Sequence, residues 1–319
     1  MRTIVNNSKV LAPKRNFTNE LKRNWVMFLM ILPACIFFIT FNYLPMTGIY
    51  FAFTKFNFND GLFGSPFVGL ENFKYLFSSG TMVRLLRNTI LYNIAFIGLG
   101  NFFQIVCGII LSELPGKIYK RTAQSITLLP HFVSMVLVGA FAFNLLNYNT
   151  GVINTLLSNW LGEESRVNFY NSPQYWPFII IFFNIWKGLG YGTVVYLAAI
   201  TSIDNELYEA AEIDGANKFQ QITRITIPLL IPTIIILLLF AIGGILKGQF
   251  DLFYQLVGNN GILQPSTDII DTFVYRALMV NFDLGMGSAA GLFQSFFGFV
   301  LVMSVNFVIR RLYPEYALF

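Results

Sequence analysis

The sequence is poor in the residues on which most enzymes and soluble domains depend. It has one histidine and two cysteines in 319 residues, and only 12% of its residues are charged. Because there is only one histidine, any catalytic mechanism that requires two histidines is excluded. Cys35 and Cys107 both fall inside long apolar stretches, so we expect neither a disulfide nor a metal site at them.

The chain also lacks a phosphate-binding loop. Gly243 and Gly248 have the spacing of the two glycines in G-x-x-x-x-G-K-[ST], but Gln249 stands where the lysine is required. Neither a nucleophile elbow nor a helical zinc motif is present. We therefore predict that this chain hydrolyses no nucleotide and holds no cofactor.

Apolar residues, by contrast, make up 55% of the chain, more than a soluble domain of this length buries. Six apolar stretches each reach the roughly 20 residues that a helix needs to cross a bilayer. The sequence therefore predicts an all-α integral membrane protein with six transmembrane helices, at about residues 25–44, 89–111, 126–146, 176–200, 228–246 and 286–309.

The first stretch follows 24 mostly polar residues and lacks a small-x-small cleavage site, so we expect it to be retained. The predicted organisation is an N-terminal tail (1–24), a transmembrane domain (25–310) that includes a polar loop (201–227), and a C-terminal tail (311–319).

Basic residues predict the orientation. The N-terminal tail, the loops 112–125 and 201–227 and the residues after the last span (310–319) hold 13 Lys and Arg, whereas the longer alternate loops hold seven. The positive-inside rule then puts both termini in the cytoplasm, although Arg84 and Arg87 fall on the outer side. The membrane orientation thus explains the net charge of +5, and we expect no nucleic-acid partner.

The loop 201–227 departs from that rule because it carries five acidic residues and two basic ones. Within it, the residues Leu207, Ala210, Ala211 and Asp214 have helical i, i+3, i+4, i+7 spacing, and Gly215 is a helix stop. Two alanines let a partner surface approach closely, and the carboxylates suit a basic cleft.

The pattern Glu209-Ala210-Ala211-x-x-x-Gly215, followed after nine residues by Ile225-x-Ile227-Pro228, resembles the EAA motif of binding-protein-dependent ABC importer permeases. That resemblance implies the type I ABC importer permease fold. It also implies that this loop is a coupling helix docked on a separate ATPase, through Glu209, Ala210, Ala211, Asp214, Gly215, Ile225 and Pro228.

Further segments, at 32–33, 43–46, 68–73, 129–134 and 268–276, look like the polysaccharide-type permeases among the carbohydrate importers. The resemblance implies a second homologous permease, an ATPase dimer that binds ATP and magnesium, and an extracytoplasmic lipoprotein that delivers oligosaccharide. It also implies a multi-pass location in the cell membrane.

Two patches are candidates for the substrate path. Asn184, Lys187, Gly188 and Tyr191 form one helical stripe, and its ammonium, amide and phenol groups suit a sugar. Alternatively, Lys187 pairs with a partner's carboxylate or snorkels. The second patch is Gly244, Lys247, Gly248 and Asp251, two of which a local Lys247–Asp251 pair would also explain.

Other polar residues have structural explanations. We expect His131 to bond a carbonyl that Pro130 frees. Asp268 and Asp271 have the spacing of a metal pair, but we expect them to fold a loop. Two other functional classes, a carrier driven by an ion gradient and a lipid-linked enzyme, require intramembrane carboxylates or paired interfacial ones. No predicted span contains Asp or Glu.

Overall fold

The computed structural model describes residues 21–312, so most of the predicted tails lies outside the described part of the chain. The chain divides into two compact units, Met1–Tyr50 and Phe51–Phe319. Between residues 21 and 312 the structure is helical and contains no strand, only an isolated bridge between Thr54 and Phe67.

The fifteen helices of this part of the chain are α1 (Trp25–Phe38), α2 (Gly61–Gly64), α3 (Glu71–Ser78), α4 (Thr81–Glu113), α5 (Lys117–Phe132), α6 (Met135–Leu146), α7 (Val152–Leu161), α8 (Trp176–Thr201), α9 (Asn205–Ile213), α10 (Lys218–Gln221), α11 (Ile227–Gly243), α12 (Phe250–Val257), α13 (Gln264–Thr267), α14 (Ile270–Tyr275) and α15 (Leu284–Leu312). Shorter π-helical and 3₁₀ segments continue or connect them, at Ile39–Tyr43, Leu44–Phe53, Glu163–Ser165, Phe169–Asn171, Pro173–Tyr175, Ile222–Thr226 and Arg276–Val280.

Five helical stretches are long and apolar enough to cross a membrane, and a sixth is obtained if the bent pair α5–α6 forms one span. The five are Trp25–Phe53, Thr81–Glu113, Pro173–Thr201, Lys218–Gly243 and Leu284–Arg311. The predicted all-α architecture with six spans is therefore confirmed, with one span broken.

The break corrects the prediction of one continuous helix over 126–146. Helix α5 ends at Phe132, Val133 is extended, and α6 starts at an angle of 94° to α5. The Ser134 hydroxyl accepts a hydrogen bond from Leu137 N at 3.4 Å and so caps α6. Hydropathy cannot show this break because the residues on both sides of it are apolar.

The fifth span also differs from the prediction of 228–246. It starts at Lys218, passes through the π-helical turn Ile222–Thr226, and ends at Gly243. Pro228 therefore lies ten residues inside the helical stretch rather than at its start. The backbone N–H of Ile227 already bonds five residues back, to Ile222, in the wide turn that precedes this proline.

A buried core joins α4, α6, α8 and α12 around Trp176, whose indole N–H donates to Phe169 O at 2.8 Å. Glycines permit the closest approaches. A methyl group on Gly190 of α8 would collide with the Thr127 carbonyl of α5, and one on Gly139 of α6 with the Gln255 carbonyl of α12. These contacts pack α8 and α12 against the two halves of the broken span.

Candidate functional site: a polar cavity between the helices

A cavity of about 670 Å³ lies between α4, α8, the break between α5 and α6, and the end of α11 with the turn that follows it. This volume falls in the range of small-ligand sites. The lining consists of Asn93, Phe96, Ile97, Asn101, Gln104, His131, Met135, Asn184, Lys187, Gly188, Tyr191, Gly192, Val195, Leu237, Ala241, Gly244, Lys247, Gly248 and Gln249.

Seven of the eight residues predicted for the substrate path line this cavity, so the structure brings the two predicted patches together. They are Asn184, Lys187, Gly188, Tyr191, Gly244, Lys247 and Gly248. Asp251 does not line it and lies instead in the first turn of α12. Helix α11 ends at Gly243, and no Lys247–Asp251 ion pair occurs within residues 21–312, so the predicted local pair is wrong.

A stripe of amide side chains on α4 was missed from the sequence. Asn93, Asn101 and Gln104 lie on one face and all line the cavity. Asn101 accepts a hydrogen bond from the Tyr196 hydroxyl at 2.6 Å, and Gln104 donates to Gly188 O at 3.3 Å. The sequence does contain a pattern that indicates this stripe. Carboxamide side chains recur at helical spacing inside an apolar stretch, and polar groups in such a stretch usually face a cavity or a partner.

The ammonium group of Lys187 bonds to the broken span. It donates to Pro130 O at 3.4 Å, to His131 O at 3.0 Å, and to Val133 O. An ammonium has three donors, and all three are used here. Lys187 therefore lines the cavity, as one sequence interpretation expected, and its ammonium is held by main-chain carbonyls at the C-terminal end of α5, where a cation is favourable.

His131 and Tyr191 form the aromatic surface of the cavity. Their rings stack with centroids 5.2 Å apart and an interplanar angle of 16°. The expected hydrogen bond from His131 to a carbonyl freed by Pro130 is not formed within residues 21–312, where the imidazole instead stacks on Tyr191. The phenol of Tyr191 is largely exposed within the isolated chain, so its ring is available to a ligand.

The glycines of the two patches differ in what surrounds them. A methyl group on Gly188 would meet no atom within 4 Å, so this position opens into the cavity. One on Gly192 would collide with the Gln104 side chain, and one on Gly248 would come within 2.6 Å of Asp271 Oδ2. Gly188 therefore borders open space in the cavity, whereas Gly192 and Gly248 are closely packed.

The carboxylate of Asp271 binds the turn that follows the fifth span. It accepts hydrogen bonds from Gly248 N at 2.7 Å and from Gln294 Nε2 at 3.0 Å, and Gln294 also donates to Leu246 O at 2.6 Å. Burial raises the pKa of the Asp271 carboxyl, and these hydrogen bonds partly oppose that rise. Across the cavity, Asn184 Nδ2 donates to Gln249 Oε1 at 2.7 Å.

Asp268 has a separate role from Asp271. Its side chain is 1% exposed and forms a bidentate pair with Arg276, at 2.6 and 3.1 Å. The two carboxylates therefore bind different partners, in agreement with the loop-folding interpretation. Among the described residues, no group of three or more His, Cys, Asp or Glu is arranged to hold a metal.

Helix α9 has well-formed ends. The Asp204 side chain accepts from Glu206 N at 3.0 Å. At the other end Gly215 has φ +78°, and the bonds Gly215 N to Glu212 O and Ala216 N to Ala211 O form a Schellman motif. The predicted stop at Gly215 is confirmed.

The exposed side of α9 carries both acidic and apolar side chains. Leu207, Ala210 and Asp214 are exposed as predicted, whereas Ala211 is half-buried. Tyr208 points inward and its hydroxyl bonds Thr226 Oγ1 at 2.9 Å, which ties α9 to the turn that contains Ile225. Ile213, 86% exposed, extends the surface beyond the predicted face, and Glu209 is exposed beside it.

Residues 104–315 match the profile of the family described as binding-protein-dependent transport system inner membrane component. The chain belongs to this family. The permease is 34% identical over 297 residues to protein LplB of Bacillus subtilis (strain 168), covering 92% of each chain. It is 36% identical over 291 residues to the polygalacturonan/rhamnogalacturonan transport system permease YteP of the same organism, covering 91% of this chain and 89% of YteP.

The permease also resembles solved structures of ABC transporters. A chain in the crystal structure of a bacterial ABC transporter that imports the acidic polysaccharide alginate superposes with a TM-score of 0.82 at 35% identity, covering 93% of the permease and 99% of that chain. A second alginate transporter structure, in complex with a periplasmic protein bound to alginate pentasaccharide, gives 0.81 at 34% identity, with 93% and 98% covered. The permease thus has the fold of an ABC importer subunit embedded in the inner membrane.

Proposed function

We propose that the permease passes an oligosaccharide, preferably one bearing carboxylates, through the cavity between α4, α8 and α11. The observation that carries this proposal is the chemistry of the lining. Amides supply donors and acceptors for hydroxyls, Tyr191 and His131 supply an aromatic face, and none of the described lining residues is a carboxylate. Lys247 adds an ammonium at the outer end.

The preference for an acidic sugar rests on Lys247 rather than on Lys187. The donors of Lys187 are occupied by main-chain carbonyls, whereas Lys247 is exposed at the cavity. The names of similar permeases support this choice, since polygalacturonan and alginate are both acidic polysaccharides.

The same proposal assigns α9 to energy coupling. Its exposed carboxylates and apolar side chains form a surface of mixed character that suits a basic-rimmed groove on an ATPase subunit. Glu209, Ala210, Ala211, Asp214 and Gly215 form or end this helix, while Ile225 and Pro228 lie in the fifth span to which Tyr208 joins it. ATP and magnesium bind to the ATPase dimer, and this chain holds no cofactor.

The proposal includes two further protein partners, which the resemblance to the family implies. A second homologous permease completes the pathway, and an extracytoplasmic lipoprotein delivers the saccharide. With α9 in the cytoplasm and six spans, both termini are cytoplasmic, as the distribution of Lys and Arg also favours. The predicted tails 1–24 and 311–319 are then both on the ATPase side.

Uptake by the assembled importer in proteoliposomes tests the proposal. Labelled oligogalacturonate and a neutral oligosaccharide of equal length are compared, with the binding protein and ATP supplied. We expect ATP-dependent uptake of the acidic saccharide and its loss in Tyr191→Ala. ATPase activity that the loaded binding protein stimulates without entry of either saccharide would refute the proposal.

A further inference from the structure

Helix α7, in the loop between the third and fourth spans, presents an apolar stripe away from the protein. Val152, Leu156 and Trp160 follow one another at four-residue spacing, which puts them on one face. They are 51%, 47% and 83% exposed. Exposing three large apolar side chains to water is unfavourable, at about 25 cal/mol for each Å² of apolar surface.

Two polar side chains of α7, Asn154 and Ser158, point into the protein. Asn154 is fully buried, donates to Asn147 O at 3.0 Å and to Val167 O at 2.9 Å, and accepts from Val167 N at 2.8 Å. Ser158 is buried too and accepts from Arg166 at 3.3 Å. The helix therefore cannot rotate to hide its apolar stripe without breaking these buried bonds.

Arg166 fixes the loop on which α7 lies. Its guanidinium also donates to Tyr148 O at 3.2 Å, to Asn149 O at 3.1 Å and to Glu163 at 2.6 Å. Two chain segments that flank α7 are thereby held together. The exposed stripe is thus a fixed feature of the surface.

The stripe lies close in the chain to the end of a membrane span. Helix α6 is the second half of a membrane span, and only residues 147–151 separate it from α7. Phe143, half-exposed on α6, contacts the ring of Tyr170 in the segment that follows α7, with centroids 5.8 Å apart. Residues 152–161 carry no charge, so they offer no electrostatic complementarity to a protein partner.

We propose that α7 lies on the bilayer with Val152, Leu156 and Trp160 inserted at the boundary between headgroups and acyl chains. Tryptophan is enriched at this depth, and an amphipathic helix in the membrane plane buries one apolar side there. The leaflet, the outer one, follows from the orientation proposed above. The contact with lipid stands independently of the transported solute.

Site-directed spin labelling of the assembled importer in phosphatidylethanolamine–phosphatidylglycerol nanodiscs tests this contact. In a background with Cys35→Ala and Cys107→Ala, labels are placed by Leu156→Cys and Trp160→Cys. Thr155→Cys and Asn159→Cys are matched controls, because these polar neighbours are also exposed and each lies about 100° around the helix from the labelled residue that follows it. All four positions are exposed, so folding is expected to survive, and ATP-dependent uptake checks that it does.

We expect the ratio of oxygen to nickel-chelate accessibility to be several-fold higher at 156 and 160 than at 155 and 159. Equal access of the nickel chelate to all four labels would overturn the proposal. So would labels at 156 and 160 that neither reagent reaches, since that result would mean a protein partner covers the stripe.

Discussion

The ammonium group of Lys187 donates a hydrogen bond to the main-chain oxygen of His131, across 3.0 Å, at the point where the third span breaks. Two further carbonyls, of Pro130 and Val133, share the same ammonium. A cation at the C-terminal end of a helix is favourable, and here it also donates hydrogen bonds to main-chain carbonyls on both sides of the end of α5.

Lys187→Met is therefore expected to destabilise the permease by about 1.5–3 kcal/mol, the worth of hydrogen bonds to a charged group. Thermal unfolding of the purified importer and its uptake rate measure the effect. Lys247→Met is the matched control, since it removes the same charge from the same cavity. Equal unfolding temperatures for the two variants would contradict the role given to Lys187.

Lys247→Gln is expected to weaken uptake of an acidic oligosaccharide while leaving a neutral one of equal length nearly unchanged. The ammonium lines the cavity, and opposite charges there are screened less than in bulk water. Competition between the two saccharides in one uptake assay gives the selectivity directly. An equal decrease in the uptake of both saccharides would show that Lys247 does not distinguish acidic from neutral substrates.

Gly248→Ala should destabilise the turn after the fifth span, because the new methyl group would lie 2.6 Å from Asp271 Oδ2 and collide with Ile269. Gly244→Ala is the control, since its nearest neighbour, Ala241 O, would be 3.6 Å away. We expect a loss of about 1–3 kcal/mol for the first variant, as for other overpacked sites, and little for the second. Chemical denaturation of the importer in detergent compares them.

Gly215→Ala tests the end of α9. An L-residue at φ +78° costs about 1–2 kcal/mol, so the helix end should loosen and the coupling of ATP hydrolysis to uptake should fall. Gly80→Ala is the control. Gly80 has φ +72°, and a methyl group there would meet no atom within 4 Å, so the backbone cost is similar, but this residue precedes α4 and is not part of α9. Saccharide imported per ATP hydrolysed should drop only for Gly215→Ala.

Asp271→Asn should change the pH dependence of stability. Burial raises the pKa of this carboxyl above its ordinary value of 3.8, so the folded protein holds the proton more tightly than the unfolded chain does. Its stabilising effect is complete below about pH 3.8 and is lost as the pH rises through the folded pKa. The variant, whose amide oxygen still accepts from Gly248 and Gln294, should gain stability relative to the native permease as the pH rises over this window.

The sequence by itself determined the class of the molecule and its principal helices. The apolar stretches are too long and too many to be buried in a soluble domain, so composition alone indicates a membrane protein. The residue spacing of the acidic loop, which includes Glu209 and Gly215, is specific enough to indicate the family. The helical stripe of Asn184, Lys187, Gly188 and Tyr191 was predictable too, since neighbours on a helix face follow from local geometry.

Only the tertiary structure decided which groups meet across helices. The carbonyls that hold Lys187 lie more than 50 residues earlier in the chain. Neither hydropathy nor periodicity indicates which residues so far apart in the chain come into contact. The same holds for Asp271 against Gly248 and for the amides of α4. Such contacts depend on how helices pack, and packing is set by close approaches, as at Gly190, that one-dimensional patterns do not contain.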